Sequence, residues 1–260
     1  MGEQIFVSPE WVASNQDSVQ IVDVRDTWEF EGIGHIPNAV NVPFDSFRDS
    51  AGKGMLPDPA EWQSLIREAG IDQDTAIVAY DDMHGVFAAR FLVTAEILGH
   101  SRSQLHLLNG DYSRWNIHHQ TTTAVSNTQE SSYQLSNQDS SLIVDHETVA
   151  NAIDDPSVTI LDTRDDEEYV AGHIPGAVNI DWRVVIDEKT RGIKHTRDIR
   201  SIFADHGISS DTEVVLYCNT ARRISHTYLI LRELGFTHLG FYEGSLTDWK
   251  ERNAPIETEI

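Results

Sequence analysis

The chain repeats itself once, and the repeat constrains its architecture more than any other feature. Residues 20–26 (QIVDVRD) match residues 159–165 (TILDTRD), an offset of 162 − 23 = 139. Residues 34–41 (GHIPNAVN) match 172–179 (GHIPGAVN), and 76–81 (AIVAYD) match 213–218 (EVVLYC). Near each end, Gly110 to Trp115 corresponds to Gly244 to Trp249. A repeat of this length means two similar domains, because solenoid repeats are far shorter. The expected boundaries are a first domain over 1–117, a linker over 118–141 and a second domain over 142–260. The linker is assigned on its Thr, Ser, Asn and Gln content, and residues 253–260 read as a surface tail.

Each copy alternates short apolar runs with helical patterns. Residues 5–7, 20–24, 76–80 and 105–108 read as strands, too short and too uniformly apolar for helices. Ser8 followed by Pro9 is a helix start, and the helical patterns over 58–69 and 87–98 are closed by Gly70 and Gly99. The second half follows the same order. Alternation of this kind predicts α/β domains, each with a central parallel sheet covered on both faces. Ligands in such sheets sit beyond the carboxyl ends of the strands.

The only cysteine, Cys218, falls at such a place. Residues 214–217 (VVLY) are a buried strand, and apolar residues at helical spacing run from Ser225 to Leu234 before Gly235. A six-residue loop is therefore expected between Cys218 and the helix. Backbone N–H groups and the positive end of the helix dipole favour an anion there. With Arg222 and Arg223 in the same loop, the thiol is suited to react as its thiolate rather than to fill an apolar core.

Composition narrows the alternatives. A single cysteine excludes an internal disulfide and a cysteine-based zinc site, and a thiol that must stay reduced suits a cytoplasmic setting. No apolar run is long enough to span a membrane, and Met1 to Gln4 lacks the basic start of a signal peptide. A net charge of −23 opposes nucleic-acid binding. His118-His119 and Asp81-Asp82 lack the further ligands a metal site needs, so no metal is expected. His35 and His173 recur in both halves and read as turn residues; Trp115 and Trp249 read as core.

The ordered set Asp162-x-Arg164 with Glu168, Gly-His-Ile-Pro-Gly-Ala-Val-Asn over 172–179, Tyr217-Cys218 with its arginine loop, and Glu243-Gly244 before Trp249 resembles the rhodanese family, specifically its tandem-domain sulfurtransferases. The resemblance covers most of both halves and implies two rhodanese-like three-layer α/β domains. It implies a catalytically empty first domain with Asp81 at the cysteine position. It also implies a second domain in which Cys218 takes sulfane sulfur as a persulfide and passes it to cyanide or a thiol. Asn219, Thr220, Ala221, Arg222 and Arg223, with Arg183 beyond the loop, would bind a small anionic sulfur donor. Lys194 is a further possible donor contact. Arg164 and Glu168 read as a supporting pair, and no metal or organic cofactor is needed.

One departure stands out: Ala221 occupies a loop position where many members carry glycine. If its φ were positive, alanine would cost roughly 1 kcal/mol or more. The basic loop favours thiosulfate as donor, with 3-mercaptopyruvate the close alternative. A sulfur carrier or regulatory module, loading Cys218 for a protein acceptor, is a third reading. A phosphatase of the same fold is disfavoured, because the arginine spacing here is Cys-x4-Arg and the position that Cys-x5-Arg would give to arginine is Ile224.

Overall fold

A computed structural model describes residues 4–49, 54–125, 128–135 and 138–259. The first three residues, on which part of the leader reading rests, and Ile260 of the expected tail lie outside them.

The first half contains β1 (Phe6–Val7), α1 (Pro9–Asn15), β2 (Gln20–Asp23), α2 (Thr27–Gly32), β3 (Ala39–Asn41), α3 (Pro59–Glu68), β4 (Ile77–Tyr80), α4 (Val86–Ile97), β5 (Leu105–Leu108) and α5 (Asp111–His118). Its five strands lie in the order β1-β5-β4-β2-β3, and every pair is parallel. The second half contains α6 (His146–Ala152), β6 (Val158–Asp162), α7 (Asp166–Ala171), β7 (Val178–Asn179), α8 (Thr196–Asp205), β8 (Glu213–Tyr217), α9 (Arg222–Glu233), β9 (Leu239–Phe241) and α10 (Ser245–Glu251). Its four strands run β7-β6-β8-β9, again all parallel. The counterpart of β1 is reduced to a single bridge between Ile143 and Phe241.

The central strands explain themselves. β4 (IVAY) is buried at every position, and only Glu213 of β8 is exposed. Such strands read as continuous apolar runs because helices cover both faces of the sheet. The covering helices differ in the same sense. α4 is buried over nearly its whole circumference, whereas α8 buries only Ile199 and Phe203 and keeps a polar outer face. Trp115 anchors one core cluster with Tyr80, and Trp249 the other with Tyr217.

Packing divides the chain differently from the expected boundaries. One unit comprises Met1–Ser50, Leu56–Asp139 and Asp187–Ile193; the other comprises Ala51–Met55, Ser140–Ile186 and Lys194–Ile260. Residues 187–193 join the first unit because Arg191 supplies the cation that buried Asp111 requires, at 2.7 Å, while the Ile193 amide donates to Asn109 Oδ1 at 2.9 Å.

The stretch expected as a linker is docked along the first unit. Thr122 bridges to His35, the Ser131 amide donates to the Arg67 carbonyl, and Arg67 Nε donates to the Tyr133 carbonyl at 2.6 Å. Tyr133 is only 1% exposed and acts as its apolar anchor. The C-terminal stretch is likewise no loose tail. Glu257 exchanges backbone hydrogen bonds with His173, and Trp249 Nε1 donates to the Pro255 carbonyl at 2.7 Å.

Candidate functional site

Cys218 follows directly on β8 and is 1% exposed. Its backbone is fixed at both polar groups by the start of α10. The Cys218 amide donates to Ser245 Oγ at 3.2 Å, and its carbonyl accepts from the Leu246 amide at 2.9 Å. The Ser245 hydroxyl in turn donates to the Tyr242 carbonyl.

α9 begins at Arg222, so the loop after Cys218 spans 219–221 and is shorter than the sequence suggested. Ala221 supplies the turn with φ 62° and ψ −5° and is fully buried. A side chain in the left-handed region costs roughly 1–2 kcal/mol. The Ser225 hydroxyl and amide both donate to the Ala221 carbonyl, at 2.7 and 3.2 Å, and hold the strained residue in place.

Glu168 organises the loop from outside. Its carboxylate accepts from Asn219 Nδ2 at 2.5 Å and from Arg223 Nη1. Glu168 sits in the first turn of α7, where the N-cap Asp165 accepts its amide at 2.9 Å. That backbone bond pulls the Asp165 carboxyl below its ordinary range, aided by Arg223 and Arg183 nearby. Thr220 Oγ1 accepts from Arg222 Nε at 3.3 Å, and Thr247 Oγ1 donates to the Asn219 carbonyl at 2.9 Å.

Two expected placements change. Arg164 spends its guanidinium on buried Asp162 at 2.6 Å, on the Gly172 carbonyl and on the backbone carbonyl of Glu168. It does not pair with the Glu168 carboxylate, because a fully buried Asp162 has first call on the cation. Arg183 is 59% exposed in its side chain and paired with Asp181 at 2.5 Å. Lys194 Nζ donates to the Val184 carbonyl at 2.6 Å. Cys218, Asn219, Thr220, Ala221, Arg222, Arg223 and Glu168 thus form one connected cluster, with Arg164 beneath α7 and Arg183 at its rim.

Sequence reasoning missed Ser245, Thr247 and Gly54. Ser245 was visible only through the repeat, where Asp111 stands at the matching place and shares its positive φ, 51° against 52°. A Cβ on Gly54 would lie 2.5 Å from both the carbonyl carbon and oxygen of Thr220, so this glycine lets one backbone pass directly over the loop. The repeat carried that signal as well, since Gly54 matches Gly192 at 192 − 54 = 138.

The first half shows what the corresponding loop does around a carboxylate. Asp81, at the place of Cys218, accepts from the amides of Met83, Gly85, Phe87 and Ala88 at 2.7–3.0 Å. Its side chain fills its own cradle of N–H groups. In the second half the loop is one residue shorter, with left-handed Ala221 at the place of left-handed Gly85. α9 starts at Arg222 as α4 starts at Val86, so the helix-start amides that match are those of Ala221, Arg223 and Ile224. The histidines are structural: His35 Nδ1 contacts the Phe30 carbonyl at 2.8 Å, and His173 Nδ1 the Tyr169 carbonyl at 2.9 Å. Among the described residues no cluster of three or more His, Cys, Asp or Glu side chains is arranged to hold a metal ion. No helix there is long and apolar enough to cross a membrane.

Comparison with known proteins accords with these features. A family model described as the Rhodanese-like domain matches residues 8–118 and again 145–252. A thiosulfate sulfurtransferase of Pseudomonas aeruginosa is 29% identical over 236 residues, 86% of either chain. The sulfur carrier protein TtuD of Thermus thermophilus is 27% identical over 270 residues, covering 95% of this chain and 93% of its own. Among solved structures, the 3-mercaptopyruvate sulfotransferase SseA from Escherichia coli superposes with a TM-score of 0.84 at 24% identity, over 93% of this chain and 98% of that one.

Proposed function

The chain belongs to the rhodanese family, as a sulfurtransferase with two such domains, and from that premise we propose that it moves sulfane sulfur from thiosulfate through a persulfide on Cys218 to cyanide or a thiol. The thiolate of Cys218 attacks the outer sulfur of thiosulfate. A new S–S bond forms, the S–S bond of the donor breaks, and sulfite leaves with the electron pair. Cyanide or a thiolate then attacks the outer sulfur of the persulfide, takes it away and returns Cys218 as thiolate.

The single observation that carries this reading is the pair of matching cradles. Asp81 is an anion built into the first, receiving four N–H bonds. The second, one residue shorter, presents the start of α9 behind left-handed Ala221 to whatever charge Cys218 carries, which amounts to electrostatic stabilisation by preorganised dipoles. It also makes the first domain catalytically empty: Asp81 offers no nucleophilic sulfur and leaves no room for an anion. Arg222 and Arg223 add positive charge for the donor, and burial of Cys218 restricts attack to small sulfur species. The short 219–221 loop suits a sulfur atom better than a phosphoryl group. Cytoplasmic residence is part of the same reading, since Cys218 must stay reduced between turnovers.

Intact-protein mass spectrometry tests it. Reduced protein mixed with thiosulfate is expected to gain about one sulfur atom, which cyanide removes, and Cys218→Ser gains none. Loading by 3-mercaptopyruvate alone would retain the persulfide route with the other donor, the one named for the Escherichia coli structure. Loading without turnover on small acceptors would favour a carrier role towards a protein acceptor, like that named for the Thermus thermophilus relative.

A further inference from the structure

A trans peptide is planar, so its N–H points opposite to its C=O, and every described peptide bond here is trans. Whatever holds the carbonyl of a loop residue therefore aims the N–H of the next residue. The peptide between Asn219 and Thr220 is held in this way. Its carbonyl accepts from Thr247 Oγ1 at 2.9 Å, and the Asn219 side chain is held separately by Glu168. One peptide earlier, the Cys218 carbonyl accepts from the Leu246 amide at 2.9 Å. The bond from Thr247 is not the one a helical threonine makes by default. Such a hydroxyl ordinarily bonds a carbonyl three or four residues back. This one leaves the first turn of α10 and reaches a loop 28 residues away in sequence.

The first unit shows where the N–H of such a peptide points. There the carbonyl of Asp82, one residue after Asp81, accepts from Arg191 Nη2 at 2.8 Å. On the other side of the same peptide, the Met83 amide donates to Asp81 Oδ1 at 2.8 Å. A donor outside the loop holds the carbonyl, and the N–H faces the side chain that occupies the cradle. Counted from the strand end, Asn219 and Thr220 stand where Asp82 and Met83 do. The two units draw the outer donor from unrelated places, a guanidinium of residues 187–193 in one and a threonine of α10 in the other. We propose that Thr247 is a positioning residue for sulfur transfer. By holding the Asn219 carbonyl it turns the Thr220 N–H towards the Cys218 sulfur, where that donor stabilises the thiolate and then the persulfide. This role rests on the persulfide reading of Cys218 and extends its machinery to α10.

Amide exchange reads the aim of that N–H directly, whether or not sulfur is transferred. In full-length ¹⁵N-labelled protein, Thr247→Val removes the hydroxyl and keeps the shape, and Thr247→Ser restores the hydroxyl. Exchange at the Thr220 amide is expected to quicken about tenfold or more in Thr247→Val and to keep the wild-type rate in Thr247→Ser. The Ser225 amide, which donates to the Ala221 carbonyl, is the control for general loosening and should not change. Persulfide formation from thiosulfate, followed by mass after rapid quench, should slow about tenfold or more in the valine variant alone. Its melting temperature should stay close to that of the wild type. Unchanged Thr220 exchange in Thr247→Val, equal acceleration at Ser225, or an equal loss in Thr247→Ser would overturn the proposal. So would altered exchange with persulfide formation at the wild-type rate. A wild type that loads sulfur from neither thiosulfate nor 3-mercaptopyruvate is a separate outcome. It strikes down the persulfide reading, and Thr220 exchange then decides the aim of the N–H by itself.

Discussion

Glu168 holds the guanidinium of Arg223 with the same carboxylate that receives Asn219. One residue of the Cys218 loop and one of the first turn of α9 are therefore aligned by a side chain from a different helix. The pair is about one-third exposed on each side, so its contribution to stability is small, about 0–1 kcal/mol. Its effect on activity should be larger. Glu168→Gln is expected to reduce kcat/KM for the sulfur donor about tenfold or more, with the melting temperature nearly unchanged. An equal fractional loss of stability and activity would mean that Glu168 merely supports the fold.

Ala221 gives a prediction of opposite sign. Glycine there removes left-handed strain of about 1–2 kcal/mol but adds freedom to the unfolded chain and deletes a buried methyl. Ala221→Gly should therefore be neutral or stabilising by at most about 1 kcal/mol. Ala221→Val should destabilise by about 2 kcal/mol or more, because a β-branched side chain tolerates positive φ least. Urea unfolding of both variants checks the order.

Gly54 should be intolerant for a local reason. Gly54→Ala places its methyl against the Thr220 backbone, and either the loop or the covering segment must move. Persulfide formation, followed by mass after rapid quench, is expected to slow about tenfold or more. Gly32→Ala is the control, since nothing lies within 4 Å of its Cβ. Wild-type kinetics in both variants would show that the loop can yield without consequence.

Removing the carboxylate of Asp81 should harm the fold and not the chemistry. Asp81→Ala strands four donors, two of them buried, a loss of about 2–4 kcal/mol. Denaturation should show the first unit weakened, while the folded variant still forms the persulfide at Cys218. Loss of persulfide formation at full stability would contradict the assignment of Asp81 as a filler of its own cradle.

The buried imidazole of His100 sets a pH dependence. Its pKa is lowered in the fold, and an unfolded histidine titrates near ~6.5. Its stabilising contribution is therefore present above that unfolded value and is lost as pH falls towards and through the folded one. Between pH 7.5 and pH 5 the wild type should lose more stability than His100→Gln. Parallel curves would exclude this imidazole as a contributor.

Most of the architecture was legible because parallel strands buried on both faces leave uninterrupted apolar runs, and β4 and β8 are such runs. The start of α9 was misplaced for a physical reason. The start was read from where apolar residues take up helical spacing, at Ser225, and the first turn carries Arg222 and Arg223, which apolar spacing does not register. Here a left-handed Ala221 turns the chain without a side-chain cap, and Ser225 bonds backward to it. The 118–141 stretch was misread because polar composition resembles a linker, yet its hold on the first unit comes through backbone groups and Tyr133, which composition does not register. Glu168 was read as pairing with Arg164 because both recur in the first half, but buried Asp162 takes that arginine, which meets only the backbone carbonyl of Glu168.

The self-filled cradle around Asp81 makes the two halves unequal reporters of solution composition. A carboxylate tethered by one methylene has an effective concentration that no dissolved anion matches, so the first unit should be indifferent to sulfate or thiosulfate. The second has no tethered anion, and any anion it binds must raise its stability by linkage. Anion-dependent melting confined to one of two structurally repeated units would turn the internal repeat into its own control.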